Sequence, residues 1–268
     1  MDILYISSED NKIIKHINSL KMRKQRKKQK KFVIEGYRII SECLNKTPEL
    51  IDYAVFTSNA MESSEGKRLS KSLQTTHKVF EVPDQLFKKI SDTENPQGML
   101  AVVNMTETNL SGLLKEDDSI FLILDRIQDP GNLGTIIRTA VSINARAVIL
   151  TKGSVDPYNS KTVRSTMGAV FNIPIIEVDD NSLWVEEFKQ NNIRLIGSTL
   201  DTKKSYLDID YSGTIGLMIG NEANGIDTEL LQLVDDKVYI PILGNIESLN
   251  ASVAAGVLLY KAVEAKLK

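Results

Sequence analysis

Sulfur and imidazole are scarce in this sequence. Its 268 residues include one cysteine, Cys43, and two histidines, His16 and His77. A lone thiol closes no internal disulfide, so a reducing compartment is expected and the cytoplasm fits best. One Cys and two His do not supply the ligand set of a structural zinc site, and no metal is expected. His16 falls on a predicted helix and His77 beside a predicted strand, and both read as surface or packing residues. No apolar run approaches the ~20 residues that cross a bilayer, so no membrane partner is expected. The opening MDILYISSED carries acid early and no apolar centre, which argues against a signal peptide. The dinucleotide fingerprint G-x-G-x-x-G does not occur, and Gly66-Lys67 fails as a phosphate loop because Met61 and Arg68 stand where Gly and Ser/Thr belong. No G-x-S-x-G elbow is present, which excludes the usual serine hydrolase.

What is there is ordinary in bulk and uneven in detail. Apolar residues make up 42% and charged residues 25%, as in a globular chain long enough to bury a normal core. The net charge of −2 alone argues against nucleic acid, but eight cations stand among the eleven residues 21–31: Lys21, Arg23, Lys24, Arg26, Lys27, Lys28, Lys30 and Lys31. No acid interrupts them. Such a run attracts phosphates and makes binding salt-dependent. As a free tail it would simply be solvated. Here it leads into KFVIEGYRIISECL, an apolar-rich stretch with helical spacing, so the pattern predicts a basic loop held on a folded domain.

Periodicity predicts helices over 11–20 and 36–45, strands at 52–57, 78–82 and 99–103, and helical segments near 63–74 and 84–90. This is a small α/β domain, residues 1–107. The polar stretch 108–118 reads as a linker. From 119 to 268 strands and helices alternate: strands at 119–125, 145–150, 173–178, 193–199, 216–220 and 237–242, helices at 132–143, 160–171, 182–191, 226–234 and 250–267. Continuous apolar strands between helices imply a parallel sheet covered on both faces.

Three segments rich in Gly, Asn and Ser stand at the carboxyl ends of predicted strands, where open α/β sheets bind ligands. They contain Asp129-x-Gly131-Asn132-x-Gly134-x-x-x-Arg138-Thr139-Ala140, Gly220-x-Glu222-x-x-Gly225, and Ile240-Pro241 followed by Ser248-Leu249-Asn250-x-Ser252. In this order and spacing they resemble the signature motifs of the SpoU (TrmH-like) branch of the SPOUT methyltransferases, over roughly 119–268. KFVIEGYRII and NPQGMLAVV (95–103) resemble, less specifically, the L30e-like substrate-binding domain that often precedes it.

The resemblance implies a deep trefoil knot in the C-terminal domain, a homodimer with sites near the subunit interface, and S-adenosyl-L-methionine as cofactor. It implies methylation of a ribose 2′-hydroxyl in RNA, with 23S ribosomal RNA favoured. The alternatives are a catalytically silent RNA-binding or ribosome-assembly factor, a tRNA 2′-O-methyltransferase, and a base methyltransferase. By the same resemblance Arg138, Asn132, Glu222, Ser248 and Asn250 form the catalytic set. Gly220, Ile240, Leu249, Thr199, Leu200 and Gly225 hold the cofactor, and the basic run meets the RNA.

Each residue also has a plainer reading. Arg138 could be an exposed helix arginine; its apolar neighbours Ile136, Ile137, Ala140 and Val141 place it at the edge of a buried face. Arginine stays protonated near neutral pH, so aligning the hydroxyl and a substrate phosphate suits it better than acting as base. Asn132, Ser248 and Asn250 could be helix caps. Ile240 and Leu249 could be core, and Glu222 a solvated loop carboxylate. Ala223 departs from the pattern, because many relatives carry glycine there.

Overall fold

A computed structural model describes residues 3–115 and 117–267. Glu116, within the predicted linker, lies outside the described residues, as do Met1, Asp2 and Lys268. The chain divides into two units. One gathers the described residues up to Thr106 with Tyr158–Phe171, the other Glu107–Pro157 with those from Asn172 onward.

In the first unit a two-residue strand, β1 (Leu4–Tyr5), precedes α1 (Lys12–Ser19). The Asn11 side chain caps α1 by accepting from the Ile13 amide, and Ile14 and Ile17 are buried at helical spacing. The basic run is not the predicted loop. It forms a helix, α2 (Arg23–Gln29), ended by Lys30 in the left-handed region at φ 52°. Arg, Lys and Gln are good helix formers, so charge and helicity are compatible here. KFVIE, which has helical neighbours in sequence, is instead a strand, β2 (Lys31–Glu35). Phe32 and Ile34 are buried and the residues between them half-buried, a period of two. Next come α3 (Tyr37–Lys46), β3 (Ile51–Thr57), α4 (Ser58–Glu62), α5 (Ser64–Gln74), β4 (Lys78–Val82), α6 (Asp84–Ile90) and β5 (Met99–Asn104).

The strands order as β1-β4-β3-β5-β2, with β1, β4 and β3 parallel and β5 antiparallel to β3 and β2. Ile14, Ile17, Leu86, Phe87 and Ile90 from α1 and α6 cover one face. Ile39, Ile40, Leu69 and Leu73 from α3 and α5 cover the other. His16 bonds the Tyr53 hydroxyl at 2.7 Å and His77 the Pro48 carbonyl at 2.9 Å, both packing roles.

The second unit begins with β6 (Ile120–Leu124), α7 (Pro130–Ser142) and β7 (Ala147–Thr151). The next helix, α8 (Ser160–Thr166), belongs to the first unit. Val163 joins the cluster around Phe32, and the rings of Tyr158 and Phe171 lie 4.8 and 6.3 Å from that of Phe32. The single helix predicted over 160–171 stops at Thr166, because Met167 (φ 52°) and Gly168 (φ 95°) are left-handed. The chain then runs through β8 (Ile175–Val178), α9 (Asn181–Gln190), β9 (Arg194–Ser198), β10 (Ile215–Ile219), α10 (Thr228–Leu231), β11 (Asp236–Val238) and α11 (Ala251–Lys266). The strand predicted over 237–242 ends at Val238, three residues before Pro241, which has no N–H to donate to a ladder.

These strands form one parallel sheet, β11-β9-β10-β6-β7-β8. Every residue of β6, β7 and β10 is buried, as their unbroken apolar runs imply. Phe121 and Ile123 of β6 pack with Trp184, Val185 and Phe188 of α9. The alternate residues Leu122 and Leu124 point to the opposite face, where α7 packs on β7 and α11 on both α7 and β10. Each buried Leu or Ile contributes about 1.5–3 kcal/mol.

Cys43 on α3 is fully buried, and burial pushes its thiol up to about 11. The native protein is therefore expected to resist a thiol reagent such as dithionitrobenzoate at pH 8, and to react with one equivalent once unfolded in urea. Rapid labelling without urea would contradict this placement.

Candidate active site

The exits of β6 and β10 define the site. The two strands are neighbours, yet the chain leaves β6 toward β7 on one side and leaves β10 toward β11 on the other. A crevice opens at such a switch point, outside the carboxyl ends of the strands. A cavity of about 440 Å³ lies beside it, walled by the segments following β9, β10 and β11 and by the start of α11. That volume is typical of small-molecule sites. Thr199, Leu200, Gly220, Gly225, Ile240 and Leu249 all line it, as do Glu222 and Ser248. Asp201, Glu222 and Glu247 give its lining three carboxylates, and no Lys, Arg or His is among the lining residues. Ile219, Ile242, Ala251 and Ala254 supply apolar wall.

Gly220 is required by close approach. A Cβ there would stand 2.1 Å from both the Gly225 carbonyl carbon and the Ile226 nitrogen. The turn it abuts is closed by two backbone bonds, Asn221 N to Gly225 O at 3.0 Å and Gly225 N to Asn221 O at 2.9 Å. Gly225 itself has φ 65°. The Asn221 side chain fills the turn. Its Oδ1 accepts from the amides of Ala223 and Asn224, and its Nδ2 donates to the Arg126 carbonyl at 2.9 Å. Ala223 is exposed and has no positive φ, so its Cβ is tolerated in the turn.

Asn132 joins the three motif segments. Its Nδ2 donates to Glu222 Oε1 at 2.9 Å, and its Oδ1 accepts from Asn250 Nδ2 at 3.0 Å. The pair of bonds fixes which way its amide points. Asn250 is in turn held by Ser252, whose amide and hydroxyl both donate to Asn250 Oδ1. The cap of α7 is Asp129, whose Oδ1 accepts from the Asn132 amide at 2.7 Å, so Asn132 lies in the first turn and its side chain is left for the relay.

Arg138 is not brought to this cavity. It is exposed on α7, six residues beyond Asn132 and so roughly 9 Å farther along the axis. The basic run also needs correction. Arg26 is buried, and its Nη1 donates to the carbonyls of Leu20 and Lys21 at 2.7 and 2.8 Å, satisfying the end of α1 rather than facing solvent. Lys31 pairs with Asp52 at 2.6 Å and Lys21 with Asp92 at 3.2 Å. Arg23, Lys24, Lys27, Lys28 and Lys30 stay exposed.

Behind the cavity wall sits a carboxylate that the motifs do not single out. Asp125, at the end of β6, is 1% exposed. Its Oδ1 accepts from the Thr151 hydroxyl at 2.7 Å, and its Oδ2 from the Asp227 amide at 2.8 Å and from Arg126 Nε at 3.0 Å. The hydrogen bond to Asp125 holds the Arg126 guanidinium above its ordinary pKa, against the effect of burial.

Residues 119–260 match the SpoU rRNA Methylase family, and residues 11–101 match the MRM3-like substrate binding domain. The chain is 34% identical over 255 residues to the Bacillus subtilis 23S rRNA (guanosine(2553)-2′-O)-methyltransferase RlmP, spanning 95% of this chain and 97% of that one. The chain belongs to the SpoU rRNA methylase family. Solved structures agree. The AdoMet-bound rRNA methyltransferase from Sinorhizobium meliloti superposes with a TM-score of 0.86 at 28% identity, covering 99% of each chain. The SpoU methyltransferase AviRb from Streptomyces viridochromogenes, in complex with AdoMet, gives 0.87 at 27% identity, over 96% of this chain and 99% of its own.

In this SpoU methylase, sequence reasoning missed Asp125, Arg126 and Asn221. The signal available was a charged pair, Asp125-Arg126, directly after the apolar run of β6. A charge at the end of a fully buried strand needs partners, and here the partners are remote in sequence.

The Asn132 relay has a testable energetic signature. Asn132→Asp keeps the shape but sets a second carboxylate against Glu222, which raises a carboxyl pKa in the folded state. A raised pKa means tighter proton binding when folded, so the penalty is full at high pH and shrinks on acidification. Urea unfolding should show a loss of about 1–2 kcal/mol at pH 8 and clearly less at pH 5. An equal loss at both would contradict the pairing.

Proposed function

We propose that this SpoU methylase transfers a methyl group from S-adenosylmethionine to a ribose 2′-hydroxyl of 23S ribosomal RNA. The observation that carries the reading is the junction of Asn132, Glu222 and Asn250 at the edge of an acidic cavity with apolar walls. The residues present fit the cofactor. Carboxylates without neighbouring cations suit a ligand bearing a sulfonium and an ammonium. Ile240, Ile242 and Leu249 suit an adenine ring, and Gly220 lets backbone approach closely. Thr199, Leu200 and Gly225 would complete the contact.

S-adenosylmethionine supplies an electrophilic methyl carbon on its sulfonium. The protein's part is to hold the acceptor oxygen in line with it, at the near-attack distance of roughly 3–3.5 Å. The 2′-hydroxyl would release its proton to solvent as it takes the methyl group, and the sulfur would leave as a neutral thioether. Asn132, oriented from both sides, and Ser248 at the cavity wall would position the ribose beside Glu222. Arg138 would hold a substrate phosphate and stabilise developing charge on the oxygen. Its distance from the cavity on α7 fits a site completed by a second copy of the chain. Leu243, Ile246, Val253 and Tyr260, large apolar residues exposed along the loop before α11 and on α11 itself, support a homodimer through this region. The deep trefoil knot is part of the same reading. In support, α11 follows β11 at one sheet edge yet packs back on β10 and α7.

Residues 11–101, matching a substrate-binding domain, would choose the RNA, and the exposed cations of α2 would contribute phosphate contacts. No helix among the described residues is long and apolar enough to cross a membrane, and none of their His, Cys, Asp and Glu groups forms a metal-binding cluster. With a buried unpaired Cys43 and a ribosomal RNA substrate, we place the protein in the cytoplasm.

Methyl transfer from labelled S-adenosylmethionine to 23S RNA and to assembled large subunits tests the reading. Label is expected at an alkali-resistant linkage, reduced roughly a hundredfold in Arg138→Ala. Label confined to tRNA or to a base would replace the substrate. Cofactor binding with no transfer to any RNA would favour a silent binding factor.

The footprint is tested separately. Replacing Lys24, Lys27 and Lys28 with Gln should reduce the salt slope of RNA affinity by roughly 0.7 per lost phosphate contact and leave cofactor affinity unchanged. An unaltered slope would remove α2 from the footprint.

A further inference from the structure

We infer that Arg126 is a positioning residue for the cofactor, acting through the turn 220–227 whose other side lines the cavity. The inference rests on the reading of that cavity as the S-adenosylmethionine site. Arg126 itself does not line the cavity.

Arg126 has φ 55°, in the left-handed region that glycine enters freely and an arginine rarely adopts. The conformation is held from both ends of the residue. Its amide donates to the Thr151 hydroxyl at 3.1 Å, and its carbonyl accepts from Asn221 Nδ2 at 2.9 Å. The side chain then spreads beneath the turn. Nη2 lies 2.9 Å from Asp125 Oδ2 and donates to the Gly225 carbonyl at 3.4 Å, while Nη1 stands 3.8 Å from Asp227. Gly153 leaves room for it, since a Cβ there would stand 3.2 Å from Arg126 Cγ.

Both ends of the turn are therefore tied to one residue. Asn221 is held through the Arg126 carbonyl, Gly225 through the guanidinium, and Asp227 through both the guanidinium and Asp125. Gly220 lies against Gly225 with no space for a side chain, so any shift of Gly225 moves the cavity wall directly. A planar fork that reaches Asp125, Gly225 and Asp227 from one point is a task for arginine, and lysine replaces it only in charge.

This arrangement separates positioning from general stability. Arg126→Gly removes the clamp together with the counter-charge of Asp125, so lost stability is told apart from lost positioning by RNA binding, which needs the fold but not the turn. Arg126→Gly and Arg126→Lys would be compared with the unaltered protein by three measurements. Without cofactor, amide hydrogen exchange at Gly225 and Asp227 should quicken about tenfold in Arg126→Gly. Calorimetric titration with S-adenosylmethionine should show its Kd rising about tenfold in Arg126→Gly and less in Arg126→Lys. RNA affinity should stay within about twofold of the unaltered protein in both variants.

Unchanged exchange, or a Kd within about twofold of the unaltered protein, overturns the inference. So do equal losses of cofactor and RNA binding, which mark a general structural role. An unaltered protein that takes up no S-adenosylmethionine overturns the methyltransferase reading instead, and the exchange rates still decide whether Arg126 holds the turn.

Discussion

A charged carboxylate at the end of a fully buried parallel strand is unfavourable unless its oxygens are occupied. Asp125 meets that condition with a hydroxyl from the end of β7, a backbone amide from the segment after β10, and the guanidinium of its own neighbour. The three donors come from three parts of the chain, so the carboxylate is satisfied only when β6, β7 and the turn beyond β10 are correctly arranged. That constraint orders the crevice before any ligand arrives. The relay of Ser252, Asn250, Asn132 and Glu222 then spans the mouth of the crevice using only polar side chains from the motif segments.

Much of this was legible in the sequence, for identifiable reasons. The strands β6, β7 and β10 are unbroken apolar runs, and their burial on both faces follows directly. Five of the six expected cofactor contacts follow the ends of β9, β10 and β11 within a few residues, where the parallel topology collects them, and Leu249 joins them from just before α11. Asn132, Glu222 and Asn250 meet although about ninety residues separate the first two.

The basic run shows where sequence reasoning stops. Composition identifies eight cations and cannot tell that one of them, Arg26, is turned inward to satisfy the carbonyls ending α1. A guanidinium serves a helix terminus as readily as it serves a phosphate, and only the fold decides between them. Arg138 is the converse case. Its apolar neighbours Ile136, Ile137 and Ala140 are buried as their spacing implied, and the arginine stands exposed beside them, away from the cavity. The residues Asp125, Arg126 and Asn221 escaped notice because their importance lies in partners distant along the chain, not in any local pattern.

The placement of α8 bears on how such a protein can change over evolutionary time. Val163, Tyr158 and Phe171 belong to the core of the first unit, although they lie inside the stretch that matches the SpoU methylase family. A recombination event at the linker could not deliver a whole substrate-binding unit to a foreign partner. It would leave Phe32 without the aromatic rings that pack on it. A boundary drawn at the linker thus cuts through the core of the first unit, and an exchange that kept that core whole would have to carry residues 158–171 with it.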